Sequence, residues 1–154
     1  MSSAVISLVD PANAPEDVRK ATEAHLAKGY RMTNEKRTLL HNAVAFEALE
    51  GMSYAVSAEM KKFTGHRAAN LFQYAISLEN DCLVCSTYYR KAMADLGFEH
   101  LDESQFTPDE TLLVEYARAI VRNHKFIPDD LLQRLLDRFG EEGVSYLVLK
   151  ILHL

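Results

Sequence analysis

The chain has 154 residues, of which 48% are hydrophobic and 25% charged, enough for one domain with its own core and ordinary for a globular protein. A formal net charge of -5, with no lysine- or arginine-rich run, argues against nucleic acid or an anionic membrane surface as a partner. Residues Met1–Ile6 lack a basic region followed by a long apolar stretch, and no segment approaches the roughly 20 apolar residues that cross a bilayer. The expectation is a cytoplasmic protein without a secretory signal or membrane partner.

Almost every segment reads as helix, so the expected fold class is all-α, one domain over residues 1–154 with residues 1–13 as an N-terminal arm. The stretch Ala4–Val9 is suited to extended backbone, as part of that arm rather than of a sheet. Helices are expected over Pro15–Lys28, Asn34–His41, Ala43–Phe63, His66–Leu78, Cys82–Leu96, Pro108–Arg122, Asp129–Phe139 and Glu141–Leu154. Pro15, Pro108 and Pro128 stand at helix starts, where a missing N–H costs nothing, and Gly29, Gly65, Gly97 and Gly140 follow helical runs as C-terminal caps. Thr107-Pro108-Asp109-Glu110 reads as a capping box. Ala68, Leu71, Phe72, Ala75 and Ile76 mark a buried stripe at helical spacing, and Leu131, Leu132, Leu135, Leu136 and Phe139 do much the same. The last helix is apolar nearly all round, from Val144 through Leu154. It is expected to be buried, either in its own domain or against a neighbouring subunit. A truncated C-terminus would also explain its abrupt end.

The two cysteines are spent on one motif, Cys82-Leu83-Val84-Cys85, at the start of a helix. Two thiols three residues apart can close and open a disulfide, as a two-electron redox site needs. With Asn80 or Asp81 as the helix cap, Cys82 falls in the first turn, where free N–H groups and the positive end of the helix dipole stabilise a thiolate. Glu79 and Asp81 oppose that stabilisation. Cys85 heads an apolar stripe with Tyr89, Ala92, Met93 and Leu96, which makes it the less exposed thiol.

Two other readings of the pair stay open: small hydrophobes packing a helix end, and metal ligands. Zinc is the minor one, because there is no second Cys-x-x-Cys and no His-x₃₋₅-His, and only His66 and His100 flank the region. No metal and no cofactor are expected. His25, His41, His124 and His153 read as surface or core-edge residues, and Tyr74, Tyr88 and Tyr89 as packing residues whose hydroxyls reach partners. There is no Gly-rich phosphate loop, no Gly-x-Ser-x-Gly and no His-Glu-x-x-His.

The helix Ala68–Ile76 followed by Ser77-Leu78-Glu79-Asn80-Asp81-Cys82-Leu83-Val84-Cys85-Ser86-Thr87-Tyr88-Tyr89 resembles the thiol motif of the carboxymuconolactone decarboxylase / AhpD-like alkylhydroperoxidase superfamily. The runs Ile6-Ser7-Leu8 to Pro11, Pro15–Arg19 and Arg31-Met32-Thr33-Asn34 are similar to openings in that family, so the resemblance covers most of the chain. It implies a helical domain assembled into trimers or hexamers. It also implies reduction of a small hydroperoxide, or thiol–disulfide exchange, by Cys82 and Cys85, with an external dithiol restoring the pair.

The family pattern places a glutamate about three helical turns before the first cysteine and a histidine four residues after the second. Asn70 and Tyr89 stand there in this chain, and neither is a base near neutral pH. Val84 stands where peroxidase members often have histidine. Glu79 is the remaining candidate base, so Tyr89, Glu79 and Asn70 join the two cysteines as candidate site residues. The resemblance assigns attack on peroxide to Cys85 and resolution to Cys82, whereas helix-end electrostatics make Cys82 the more acidic thiol. The competing expectations are a non-enzymatic oligomeric redox sensor or structural protein, and, less favoured, decarboxylase-type chemistry that does not use the thiols.

Overall fold

A computed structural model describes residues 5–98 and 102–151. Among them the chain is all-α, with seven α-helices and two single-turn 3-10 helices. The helices are α1 (Glu16–Ala27), α2 (Asn34–Leu39), α3 (Ala43–Thr64), α4 (His66–Glu79), α5 (Leu83–Ala94), α6 (Pro108–Asn123) and α7 (Asp129–Ile151). The residues group into two compact units, Met1–Tyr54 and Ala55–Leu154, with the boundary inside α3.

In the first unit, Val18 and Ala21 of α1 pack with Leu40, Ala43 and Phe46. The arm is held on α2: the Val9 N–H donates to Arg37 O at 3.2 Å, Arg37 Nε donates to Val9 O at 2.9 Å, and His41 Nε2 lies 2.8 Å from Ser7 O. The helix α2 stops at Leu39, two residues short of expectation, where the His41 and Asn42 N–H groups donate to the Thr38 and Leu39 carbonyls three residues back instead of four. His25, expected at a surface or core edge, is buried instead, at 4% exposure. It is packed against Tyr30 and Phe46 and sits beside a charged knot. There Lys36 Nζ lies 2.7 Å from both Glu50 Oε2 and the Tyr54 hydroxyl, and His25 Nδ1 lies 3.3 Å from Glu50 Oε2. A histidine can be taken inside because its polar edges are partnered there.

In the second unit, α4 packs against α5 and α6, and α6 against α7. The predicted stripe of α4 is buried in full: Ala68, Leu71, Phe72, Ala75 and Ile76 are all core residues. They meet Leu113, Tyr116 and Ala117 of α6 and Leu131, Leu135 and Phe139 of α7. The capping box forms as expected, with Thr107 Oγ1 accepting the Glu110 N–H and Glu110 Oε2 accepting the Thr107 N–H. Pro108 is the first helical residue of α6, whereas Pro15 stands one position outside α1 as its cap.

The expected pair of helices at the C-terminus forms as read: α7 is two helices meeting at Gly140, whose φ of 66° and ψ of 175° no helix contains. A residue with a side chain is strained at that positive φ. Gly143 follows where Phe139 and Phe63 leave no room, since a Cβ there would lie 2.8 Å from Phe139 Cβ. Past the break, Leu147 and Lys150 turn inward while Val148 and Leu149 are exposed, so the described part of this segment is buried on one side only. Residues 152–154, expected to extend the apolar helix, lie outside the described residues.

Two ion pairs join α4 to α6. Arg67 grips the nearly inaccessible Glu110 with both arms of its guanidinium, and Arg122 holds Glu79 with Nε at 2.6 Å and a second nitrogen at 3.3 Å. The two rungs sit twelve residues apart on both helices, so α4 and α6 run parallel and in register over ~18 Å. Between the rungs, the rings of Phe72 and Tyr116 lie parallel with centroids 6.1 Å apart.

Burial alone would raise the Glu110 pKa, but the Arg67 guanidinium and the Thr107 cap outweigh it and hold the carboxyl below its ordinary value. The stabilisation is therefore present in full above the unfolded pKa of about 4.3, and is lost as pH falls through the depressed folded value. Arg67→Gln is expected to cost about 2–3 kcal/mol, below a fully buried pair because Arg67 is a third exposed. Arg122→Gln on the exposed rung is expected to cost under about 1 kcal/mol. Urea unfolding of both variants at pH 7 and pH 4 checks the ranking and the acid dependence.

Candidate functional site

The turn between α4 and α5 is built from both helices at once. Asp81 has a φ of 52°, the left-handed conformation that commonly ends helices and that aspartate tolerates better than most residues. It turns the chain so that the Asp81 N–H donates to Leu78 O at 3.2 Å and the Cys82 N–H to Ser77 O at 3.0 Å. These are the two bonds of a Schellman termination. The Cys82 carbonyl then accepts the Ser86 N–H at 2.8 Å, the first bond of α5. The cap of α5 is neither Asn80 nor Asp81, the two residues expected from sequence; Asn80 closes α4, and Cys82 caps α5. Aspartate is the better capping residue by type, but its backbone is committed to the reversal.

Cys82 Sγ accepts the Cys85 N–H at 3.3 Å, in the place where a serine or aspartate oxygen would sit in an ordinary cap. The two sulfurs are joined in a disulfide, with Cα atoms 5.3 Å apart. Both cysteines are half-buried. The helix ends at Ala94, and of the stripe below Cys85 only Met93 is fully buried, Leu96 being 40% exposed. The two residues inside the motif, Leu83 and Val84, are 78% and 76% exposed, and Tyr88 one turn on is 68% exposed. Tyr88 therefore does not pack inside as expected; it stands edge-on to Tyr89. Tyr74 is half-buried against the core.

The other candidate residues fall in different places. Tyr89 is partly buried, and its hydroxyl donates to Gln73 Oε1 at 3.2 Å rather than meeting Asn70. Burial, reinforced by Tyr88, pushes the Tyr89 phenol well above its ordinary pKa, so it donates a hydrogen bond without releasing a proton. Asn70 is half-buried on α4 and forms no side-chain hydrogen bond among the described residues. Glu79 is not available as a base: its hydrogen bonds to Arg122 hold its carboxyl below the usual range, despite some desolvation. The same pairing offsets one of the two charges expected to oppose a thiolate at Cys82, that of Glu79, and leaves that of Asp81. His66 and His124 are exposed, and His100 and His153 lie outside the described residues. Among the described residues no cluster of three or more His, Cys, Asp and Glu side chains is placed to hold a metal ion.

Gln73 is a site residue that sequence reasoning misses, since a glutamine between two core positions of a helix looks like a surface residue. It is 2% exposed, its carbonyl oxygen accepts the hydrogen bond of the Tyr89 hydroxyl, and its Nε2 is buried without a partner. Exchanging the two ends of the amide would leave Oε1 unpaired instead. Four residues on, buried Ser77 donates its hydroxyl back to Gln73 O at 2.7 Å and offers its carbonyl to Cys82. A polar line thus runs from Tyr89 through Gln73 and Ser77 to the backbone of Cys82.

The chain matches no protein-family model, no curated protein and no solved structure.

Tyr89→Phe is expected to destabilise by about 1–2 kcal/mol, because Gln73 is then buried with neither end paired. Adding Gln73→Leu is expected to return most of that loss, since an apolar pair of similar shape needs no partner. A double-mutant cycle by chemical denaturation measures the coupling.

Proposed function

We propose that the chain is a thiol–disulfide oxidoreductase cycling the Cys82–Cys85 pair, with Cys82 as the attacking thiolate. One observation carries the reading: the Cys82 sulfur is the cap of α5 and accepts the Cys85 N–H. A negative charge on that sulfur is favoured by a charge-assisted hydrogen bond and by the positive end of the helix dipole. Glu79, the nearest carboxylate along α4, is paired with Arg122. The exposed apolar surface of Leu83, Val84 and Tyr88 beside the disulfide suits contact with a partner protein.

The exchange is balanced without any further group. The Cys82 thiolate attacks one sulfur of a substrate disulfide and expels the other as a thiolate, which takes a proton from water. Cys85, after losing its own proton, attacks the Cys82 sulfur, closes the intramolecular disulfide and expels the second substrate thiolate. The substrate gains two electrons and two protons, and an external dithiol reverses the cycle on Cys82–Cys85.

Exchange is favoured over peroxide reduction because none of the candidate relay residues supplies a mobile proton: Tyr89 holds its own, Gln73 and Asn70 have none to exchange, and Glu79 is ion-paired. The resemblance to the AhpD-like superfamily is in keeping with a dithiol mechanism, a cytoplasmic reductant and assembly into trimers or hexamers, with a small hydroperoxide as the alternative oxidant.

In the reduced protein, alkylation against pH is expected to give Cys82 a pKa about one unit or more below the free thiol value of about 8.5. Cys85→Ser is expected to trap a mixed disulfide between Cys82 and a disulfide-bearing protein such as insulin, and Cys82→Ser to form none. A Cys82 pKa at the free value together with no trapped species would overturn the proposal in favour of a structural disulfide. A hydroperoxide oxidising the wild-type pair far faster than free cysteine would instead make peroxide the substrate.

A further inference from the structure

One face of α6 borders a groove of about 450 Å³ that the dithiol reading does not use. Thr111, Glu115, Arg118 and Arg122 lie along it on α6, so it extends for ~16 Å of helix. Its accessible apolar surface comes from Phe106, Ala119 and Pro128, with the core residues Val114 and Leu131 beneath them at 4% and 1% exposure. The volume is within the roughly 300–1,000 Å³ of small-molecule sites, and an apolar floor with a few charged groups at the edge is their usual make-up.

The charges at that edge are not equivalent. Glu115 is held by both arms of Arg134, at 2.6 and 3.1 Å, and Arg122 is committed to Glu79. Arg118 forms a single hydrogen bond, to Glu103 at 2.7 Å, which leaves most of its five N–H donors unused among the described residues. Glu103 is 59% exposed, so its hold on Arg118 is a surface ion pair of small worth. Arg118 itself is only 36% exposed, and a guanidinium partly withdrawn from water with spare donors in a fork favours a carboxylate.

We propose that this groove binds an aliphatic carboxylate of medium chain length, its head group on Arg118 and its chain over Phe106, Val114, Ala119, Pro128 and Leu131. The fit of the ligand is set by an elongated apolar floor with one incompletely used cation along it. The site is separate from the cysteines, and binding involves no redox step.

Decanoate is the probe, titrated into the wild-type protein by calorimetry with decylammonium and decanol as controls. Saturable decanoate binding is expected. Decanol, which lacks the charge, is expected to bind tenfold or more weakly, as a lost charge-assisted hydrogen bond implies. Arg118→Gln is expected to reduce decanoate affinity by a similar factor, and Arg118→Lys to recover part of it. Ala119→Leu, which a helix accommodates readily, is expected to fill the floor and weaken decanoate and decanol alike. Circular dichroism confirms that each variant is folded. Decylammonium binding more tightly than decanoate would show that Glu103 and Glu115 set the polarity and overturn the proposal. Decanoate affinity unchanged in both Arg118→Gln and Ala119→Leu would also overturn it, as would no saturable binding to the wild type. Because decanoate carries no oxidant, failure here leaves the dithiol proposal standing, and loss of thiol exchange in Cys82→Ser leaves this one standing.

Discussion

The arrangement of the second unit rests on the parallel register of α4 and α6. Two ion pairs set twelve residues apart on both helices, one with its arginine on α4 and one with its arginine on α6, admit a single alignment. A shift by one turn would leave Glu110 buried without Arg67, and uncompensated burial of a carboxylate is far more costly than the loss of a surface pair. An antiparallel alignment would set arginine against arginine and glutamate against glutamate. The inner rung thus carries most of the energy, and the outer rung supplies direction. With the register set, the last turn of α4 is held where Glu79 meets Arg122, and the residues after Glu79 inherit that position.

Those residues form a reversal with no slack. Cys82 gives its N–H to the end of α4 and its carbonyl to the start of α5, while its sulfur takes the place of a capping side chain. No residue separates the two helices that is free of hydrogen bonds to one or the other. The main-chain bonds that hold Cys82 do not involve the disulfide. Behind the turn, the buried polar atoms of Gln73 and Ser77 connect α4 to Tyr89 on α5. Among the described residues, the Nε2 of Gln73 is the buried side-chain atom left unpaired in this support.

Much of this is legible in the sequence because it depends on local signals. The stripe of Ala68, Leu71, Phe72, Ala75 and Ile76 has the period of a helix and nothing competes with it, so α4 is buried as read. Thr107 and Glu110 carry the capping box in four consecutive residues, and Gly140 marks the break in α7 by needing a positive φ. The cap of α5 is not legible in the same way. Cap preference ranks side chains, whereas here the backbone makes the choice, because Asp81 is needed in the left-handed conformation. His25, Gln73 and the Arg67–Glu110 pair are not legible at all. Their burial depends on partners 16 to 43 residues away, or on packing across helices, which no window along the chain contains.

Arg122 both anchors the last turn of α4 and borders the groove, and the same register is the reason. It is the last rung toward the C-terminal end of α6, so it must reach Glu79, and being on the face of α6 that carries Arg118 it must also border the groove. Glu110, at the other end of α6, is turned toward α4 and is nearly inaccessible. The helix therefore spends its one buried charge on alignment and keeps its exposed charges on the face away from the core. Arg118, one turn before Arg122, hydrogen-bonds only Glu103 among the described residues, and its charge adds to that of Arg122 at Glu79. A cation held only by a surface ion pair, beside the partly exposed Phe106, Ala119 and Pro128, can take a ligand at little cost to the architecture.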